Sequence, residues 1–387
     1  MKFKHLKIIL IAMLISVFTE TAFAANFKDA CFYIKSKWEN ERLAAINDFI
    51  ELDNENAVPF LARAVSDKTP AVRKRAAEAL IKLGNLQDSI TVPALLEQIK
   101  IEPDIPTLGV LIFALGNFSG EENTVKTFKE EFKSYEAEQK YNVLDALIPL
   151  AVNHKAAYLN FFEIITESQN SDDALLRLHA VINMGEFGDR EYVTAPLIKA
   201  LSDKYDDIRA MSCKYLGIIK PQQAIRPLVM VGLNDKSPMV RRKSVIAVRN
   251  YAHPDTFDFF KNILEFDLDG EVRGEAALAF IDLKDRRALP YLKNALLDSP
   301  NVVRLNSAYA LAFFDDDKGQ EELVWFLWEQ NLPAYRQRAI KGLAMLNNRS
   351  VIDDLQRALS DWDDIVRETA FQALRHKWKH DVRTEPR

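Results

Sequence analysis

Apolar residues along this chain recur at helical spacing. Counting from Arg73, Arg177, Arg209, Arg241, Arg273, Arg304, Arg336 and Arg367, a small residue follows three positions on: Ala76, Ala180, Ser212, Ser244, Ala276, Ser307, Ala339 and Ala370. Four positions on stand Ala77, Val181, Cys213, Val245, Ala277, Ala308, Ile340 and Phe371, and seven on Leu80, Met184, Leu216, Val248, Phe280, Leu311, Leu343 and Leu374. Offsets of three, four and seven share one face of an α-helix, so each Arg is predicted to open a helix whose small residues let a neighbour approach closely. A second kind of segment precedes it. Val58-Pro59-Phe60-Leu61, Val92-Pro93-Ala94-Leu95, Ala195-Pro196-Leu197-Ile198, Arg226-Pro227-Leu228-Val229 and Leu289-Pro290-Tyr291-Leu292 each place Pro 13 to 15 residues before the next repeat mark, which is Leu108 for Pro93. Proline is tolerated in the first turn of a helix, where its missing N–H would be unbonded anyway. The predicted unit is a short first helix, an Asp-containing turn and a second helix.

This unit repeats. Asp67, Asp203, Asp235, Asp267, Asp298 and Asp361 each stand six residues before Arg73, Arg209, Arg241, Arg273, Arg304 and Arg367, and from Arg177 to Arg367 the Arg steps are 32, 32, 32, 31, 32 and 31. A fixed period in this range marks a solenoid of one supersecondary unit. The template places a leading repeat at Arg42, with Ala45, Ile46 and Phe49, and puts Leu108 and Lys140 in the Arg slot of two looser repeats. The predicted fold is all-α, a right-handed α-solenoid (superhelix) of about eleven helix-pair repeats over residues 25–380. Residues 100–175, with Phe128, Phe132, Tyr135, Tyr141, Phe161 and Phe162, form its irregular section, read either as drift of the repeat or as a change of curvature that shapes a pocket. Charges recurring at every turn are read as a packing device, because partly buried charges persist when paired.

The chain has 387 residues with 12 Gly and 15 Pro, a balance that suits a helix-rich fold and not disorder. Lys2, Lys4 and Lys7, the apolar run Ile8 to Phe18 and Ala22-Phe23-Ala24 predict a cleaved signal peptide over residues 1–24 and export to the periplasm or outside of a bacterium. That run is too short to span a bilayer, so no integral membrane segment is expected after cleavage. Loss of three Lys and one Glu moves the net charge from −5 to −7, which disfavours nucleic acid as a partner. Residues 381–387 are expected to fray. Cys31 and Cys213 lie too far apart along such an array to be bridged, and Cys213 is expected to be a small buried hydrophobe.

The Asp-to-Arg spacing, the Pro-started first helix and strings such as Ala57-Val58-Pro59-Phe60-Leu61 followed by Val72-Arg73-Lys74-Arg75-Ala76-Ala77 resemble HEAT repeats, particularly the short PBS-lyase HEAT-like class. The resemblance implies a hydrogen-bonded ladder between successive repeats, making Asp67, Arg73, Asp203, Arg209, Asp235, Arg241, Asp267, Arg273, Asp298, Arg304, Asp361 and Arg367 structural. Deoxyhypusine hydroxylase, a related enzyme type, holds two irons with His-Glu pairs. Here Leu6, Lys155, Ala180, Pro254, Lys377 and Asp381 follow the six histidines, so no such pair exists. His376 and His380 share a helix face, but no carboxylate-rich segment accompanies them. Paired acids such as Asp206-Asp207 and Asp363-Asp364 are read as helix caps, and neither a Gly-rich phosphate loop nor a nucleophile elbow is present. We therefore expect no catalytic residue, cofactor or metal. The alternative is a HEAT-like enzyme or cofactor-binding protein, bilin-lyase-like or metal-dependent-hydroxylase-like.

What remains is a surface. Second helices line the concave side of such solenoids, and positions two, five and nine past each mark should face outward. They are Lys243, Ile246 and Asn250; Glu275, Leu278 and Asp282; Asn306, Tyr309 and Phe313; Arg338, Lys341 and Met345. Aromatic groups beside Arg compose an interface centre. Lys243, Glu275, Asn306, Tyr309, Phe313, Arg338 and Lys341 are thus the candidate contacts for a protein or peptide partner in the cell envelope. The competing reading packs these side chains between neighbouring second helices. Trp325, Trp328, Trp362 and Trp378 concentrate at the C-terminal end, as a cap on the open core or as a docking site.

Overall fold

The computed structural model of the chain describes residues 27–83, 88–117, 122–328 and 330–378. Among these residues it is all-α, with no strand, and its helices alternate as first and second members of pairs. They form two compact units, up to Phe187 and from Gly188 on. In unit 1, α1 (27–33) precedes α2 (Glu39–Leu52), then follow α3 (Val58–Ala64) with α4 (Pro70–Leu83), α5 (Asp88–Ile101) with α6 (Ile105–Asn117), and α7 (Glu122–Ser134) with α8 (Ala137–Asn153). A first helix broken at Phe161 into α9 (Lys155–Asn160) and α10 (Phe162–Ser168) then precedes α11 (Ala174–Phe187). Unit 2 pairs α12 (Arg190–Ala200) with α13 (Asp206–Ile219), α14 (Ile225–Asn234) with α15 (Pro238–Tyr251), and α16 (Phe257–Phe266) with α17 (Gly270–Leu283). It continues with α18 (Leu289–Ala295) and α19 (Asn301–Phe313), α20 (Gln320–Phe326) and α21 (Pro333–Met345), and α22 (Ile352–Arg357) and α23 (Asp364–Trp378). Second helices pack on second helices, α2 on α4, α6 on α8 and α8 on α11 in unit 1, and α13 on α15, α17 on α19 and α21 on α23 in unit 2. Both units are stretches of α-solenoid.

Every repeat mark, including Arg42, Leu108 and Lys140, is the fourth residue of its second helix. Offsets three, four and seven are buried in each of these helices, with one departure: Phe371 in the terminal repeat is half-buried. The broken helix around Phe161 accounts for the long step from Lys140 to Arg177. Phe128, Phe132, Tyr135 and Phe161 are core residues of unit 1, whereas Tyr141 and Phe162 are half-buried.

The ladder reaches one repeat further than the six-residue spacing suggests. Arg73, Arg209, Arg241 and Arg273 each give one guanidinium N–H to the backbone carbonyl of their own Asp and the remaining fork to a carboxylate of the next repeat. Arg241 thus donates to the Asp235 carbonyl at 3.0 Å and to Asp267 at 2.7 and 2.8 Å. Arg42 with Asp67, Arg209 with Asp235, Arg273 with Asp298 and Arg336 with Asp361 repeat the carboxylate contact. The carboxylate also accepts the N–H two residues on, as Asp235 does from Ser237 at 2.9 Å, which fixes the turn into the second helix. Gln330 stands where the next Asp would be for Arg304, and Arg304 turns instead to Glu322 at 2.7 Å.

Two sequence expectations are corrected. Pro59 and Pro290 do occupy the first turn of α3 and α18, whereas Pro93 and Pro196 lie inside α5 and α12. The former helices are preceded by separate 3-10 turns, Glu55–Ala57 and Arg286–Ala288, while α5 and α12 run continuously through the equivalent residues. Trp325, Trp328 and Trp362 do not close the core. All three are exposed, and Leu346, Val351, Leu355, Val366 and Leu374 fill the end of unit 2 instead. Trp325 and Trp362 lie over the ladder guanidiniums of Arg304 and Arg336, at 5.5 and 5.0 Å, as cation–π contacts. The side chain of Trp378, His380 and the expected signal peptide and tail lie outside the described residues. Cys31 and Cys213 are unpaired, Cys213 is fully buried, and burial pushes its thiol up to about 12.

Candidate functional site

The row of second helices α15, α17, α19 and α21 in unit 2 places the candidate contacts. Lys243 and Lys341 are exposed, Glu275, Tyr309 and Arg338 are half-buried, and Phe313 is 37% exposed. Asn306 is a correction: it is buried, so it presents no free amide to a partner. Gly274 removes a side chain opposite it, and the resulting close approach of α19 to α17 lets the Asn306 amide donate to the Gly274 carbonyl at 2.9 Å. Its oxygen accepts from Arg338 Nη1, so Asn306 positions a contact residue instead of being one.

Tyr309, Arg338 and Lys341 come together along a groove of about 440 Å³, with Leu278, Ile281, Asp282, Arg249, Ala334 and Gln337 completing its lining. Lys243, Glu275 and Phe313 are not in that lining. One side of the groove is an ion-pair network. Arg249 meets Asp282 at 2.8 Å and Glu275 at 3.1 Å, and Glu275 also holds Arg242 at 2.9 Å. On the other side Arg338 and Lys341 have no carboxylate partner among the described residues. Burial pushes the Tyr309 phenol up, against the lowering influence of Arg338, so the ring sits neutral between the two sides. Arg249 and Gln337 escape the two-five-nine rule, since they stand eight and one residues past their marks. Only the lateral packing of successive helices brings such positions to one groove.

On the second-helix row of unit 1, His179 Nδ1 lies 2.6 Å from Asp145 Oδ1, and the His179 ring stacks on Tyr141, whose hydroxyl bonds Asp173. His179 is thereby tied to a carboxylate on one side and to an aromatic face on the other. No three His, Cys, Asp or Glu side chains converge as metal ligands among the described residues, and none of the described helices is long and apolar enough to cross a membrane.

The family model of HEAT repeats matches residues 33–116, 163–248, 230–312 and 297–375. No curated protein matches the chain by sequence. Among solved structures, Kap121p is similar over 90% of this chain and 45% of its own at 14% identity, with a TM-score of 0.58. Kap121p bound to Ste12p is similar over 92% and 45% at 14% identity, with a TM-score of 0.59. Kap95p, in a structure concerned with its binding to RanGDP, is similar over 92% and 60% at 13% identity, with a TM-score of 0.54. This chain spans about half the length of those proteins, and what it shares with them at such identity is the fold.

Proposed function

We propose, from the premise that the chain belongs to the HEAT-repeat family, that it is an exported, non-catalytic scaffold which binds a protein or peptide in the bacterial cell envelope through the second-helix groove of unit 2. The observation that carries this reading is the groove itself: a half-buried aromatic, Tyr309, flanked by apolar Leu278 and Ile281 and by the charged heads of Arg338 and Lys341. An apolar floor with a few placed polar groups is what a peptide side chain needs. Support comes also from the solved relatives, since Kap121p is described bound to Ste12p and to Nup53p, both proteins. Export is supported by the sequence pattern of residues 1–24. In the exported protein, mass spectrometry should place the N-terminus at Ala25, and a product that keeps residues 1–24 would overturn that part of the reading.

The groove is tested by Tyr309→Ala, with Phe313→Ala, outside the lining, as its control. Recovery of envelope partners after cross-linking should fall for Tyr309→Ala, while helix content is kept and the melting temperature drops only by the few degrees that loss of one half-buried ring costs. Unfolding of the variant, with binding lost only as a consequence, would remove the groove from consideration. The competing class, a HEAT-like enzyme or pigment carrier, is tested by metal analysis and an absorption spectrum of the purified protein. Stoichiometric iron or a bound chromophore would sink the scaffold reading.

A further inference from the structure

Most ladder arginines have their charge matched. Arg42, Arg209, Arg241, Arg273 and Arg336 each face an Asp, and Arg249 and Arg242 share Glu275. Against that background the α21 side of the groove is exceptional. Arg338 and Lys341 stand three residues apart on one helix, hence on one face, and neither has a carboxylate partner among the described residues. In the groove lining they leave three cations, Arg249, Arg338 and Lys341, against Asp282 alone, and Asp282 is already engaged by Arg249 at 2.8 Å. The chain as a whole carries −5, so this excess is local. Arg338 is also held in place: its Nη1 donates to Asn306, which is fixed on the Gly274 carbonyl at 2.9 Å. A guanidinium ordered beforehand loses little freedom when it binds an anion, and a carboxylate set between two like charges relieves their repulsion.

We infer that the groove accepts an acidic segment of a partner protein, with an Asp or Glu carboxylate between Arg338 and Lys341 and a neighbouring apolar side chain against Tyr309 and Leu278. This rests on the reading of the groove as a protein-binding surface and specifies its partner. A peptide fits better than an anionic lipid surface. Arg338 is half-buried inside a groove beside an aromatic ring, whereas cations that meet a bilayer stand free of such walls.

The test uses the full chain and fluorescein-labelled octapeptides of alternating Glu and Leu, Gln and Leu, or Lys and Leu, read by fluorescence anisotropy at 50 and 300 mM salt. The Glu peptide should bind at least about tenfold tighter than the Gln peptide at low salt, with the advantage shrinking at high salt as screening grows. Arg338→Glu with Lys341→Glu should erase that advantage and turn the preference to the Lys peptide. Because Arg338 also contacts Asn306, Lys341→Glu alone, at an exposed position, keeps the test valid if the double variant melts early, and should cost about threefold or more. Equal binding of Glu and Gln peptides, no binding of the Glu peptide, or charge reversal without effect overturns the inference. Loss of binding to phosphatidylglycerol vesicles on charge reversal, with no peptide bound, reassigns the cations to lipid and also overturns it. If all three peptides bind equally and all are lost in Tyr309→Ala, acidic specificity fails while the groove stands. If none binds and Tyr309→Ala leaves partner recovery intact, both fail.

Discussion

At the scale of single residues, stability in this chain turns on whether charges that leave water are matched. Arg336 is fully buried, its fork closed on Asp361 at 2.7 Å and its face covered by Trp362. Removing the cation strands a buried carboxylate, so Arg336→Met is expected to cost about 3–5 kcal/mol in urea unfolding, with much of it recovered by adding Asp361→Leu. Arg287→Met, which breaks the exposed pair with Asp285, should cost less than about 1 kcal/mol by the same measurement. Tyr158 gives the opposite sign. Its hydroxyl is buried with no hydrogen-bond partner, against the rings of Phe162 and Phe187, and burial holds the phenol far above its usual range. Tyr158→Phe removes an unsatisfied group without removing the ring, so thermal melting should rise or hold, by up to about 1 kcal/mol. The ladder residues were legible in the sequence because a charge that returns every 31 or 32 positions marks the same place in each repeat. Their partners in the next repeat were implied by the HEAT resemblance, not by the spacing itself. A spacing of six within one repeat says nothing about a side chain that reaches 25 or 26 residues onward, and only the stacking of repeats makes that contact.

At the scale of helices, the three-four-seven face was readable because burial follows helical geometry. The closeness of neighbouring helices is less so, since it depends on pairs of small residues from different repeats. On α13 a Cβ built at Gly217 would lie 2.7 Å from Ala247 Cα and 2.8 Å from its Cβ, on α15. In an isolated helix Gly→Ala stabilises by about 1 kcal/mol. Here it would push two backbones apart, and overpacking of that kind costs about 1–3 kcal/mol. Gly217→Ala is therefore expected to lower stability by about 1–2 kcal/mol with helix content unchanged, and a gain in stability would show that α15 can move aside freely. The same closeness explains why Asn306, two past its mark, is buried although Lys243 at the equivalent place is exposed. A helical wheel counts one helix and cannot register the approach of the next. The inter-repeat turns were hidden for another reason. Asp53, Lys220, Ala252, Lys284 and Asp315 take the left-handed conformation with no Gly to announce it.

For the molecule as a whole, carboxylates held by hydrogen bonds in both units make acid its characteristic weakness. In unit 1, the Thr107 hydroxyl holds the Asp104 carboxyl below its ordinary value, and the Tyr141 hydroxyl does the same for Asp173. In unit 2, burial pushes Asp235 up, but the Arg209 guanidinium and the Ser237 N–H outweigh it, so this carboxyl too lies below its ordinary 3.8. Arg209, Arg241 and Arg273 are pushed further above the usual guanidinium range by their carboxylate partners, so they stay charged through the acid range. A carboxyl whose proton affinity is lower folded than unfolded adds stability above the unfolded value, and loses it as pH falls through the folded one. A guanidinium raised above its usual range keeps its contribution throughout the acid and neutral range. The melting temperature should therefore be level between pH 7 and about 5, where every one of these carboxylates is ionised, and fall steadily once the pH drops below about 4. Asp235→Asn supplies the internal check. It should lower the level stretch, flatten part of the acid slope, and approach the parent as the pH falls through the depressed folded value of the parent's Asp235, where acid and amide alike present a neutral partner to Arg209.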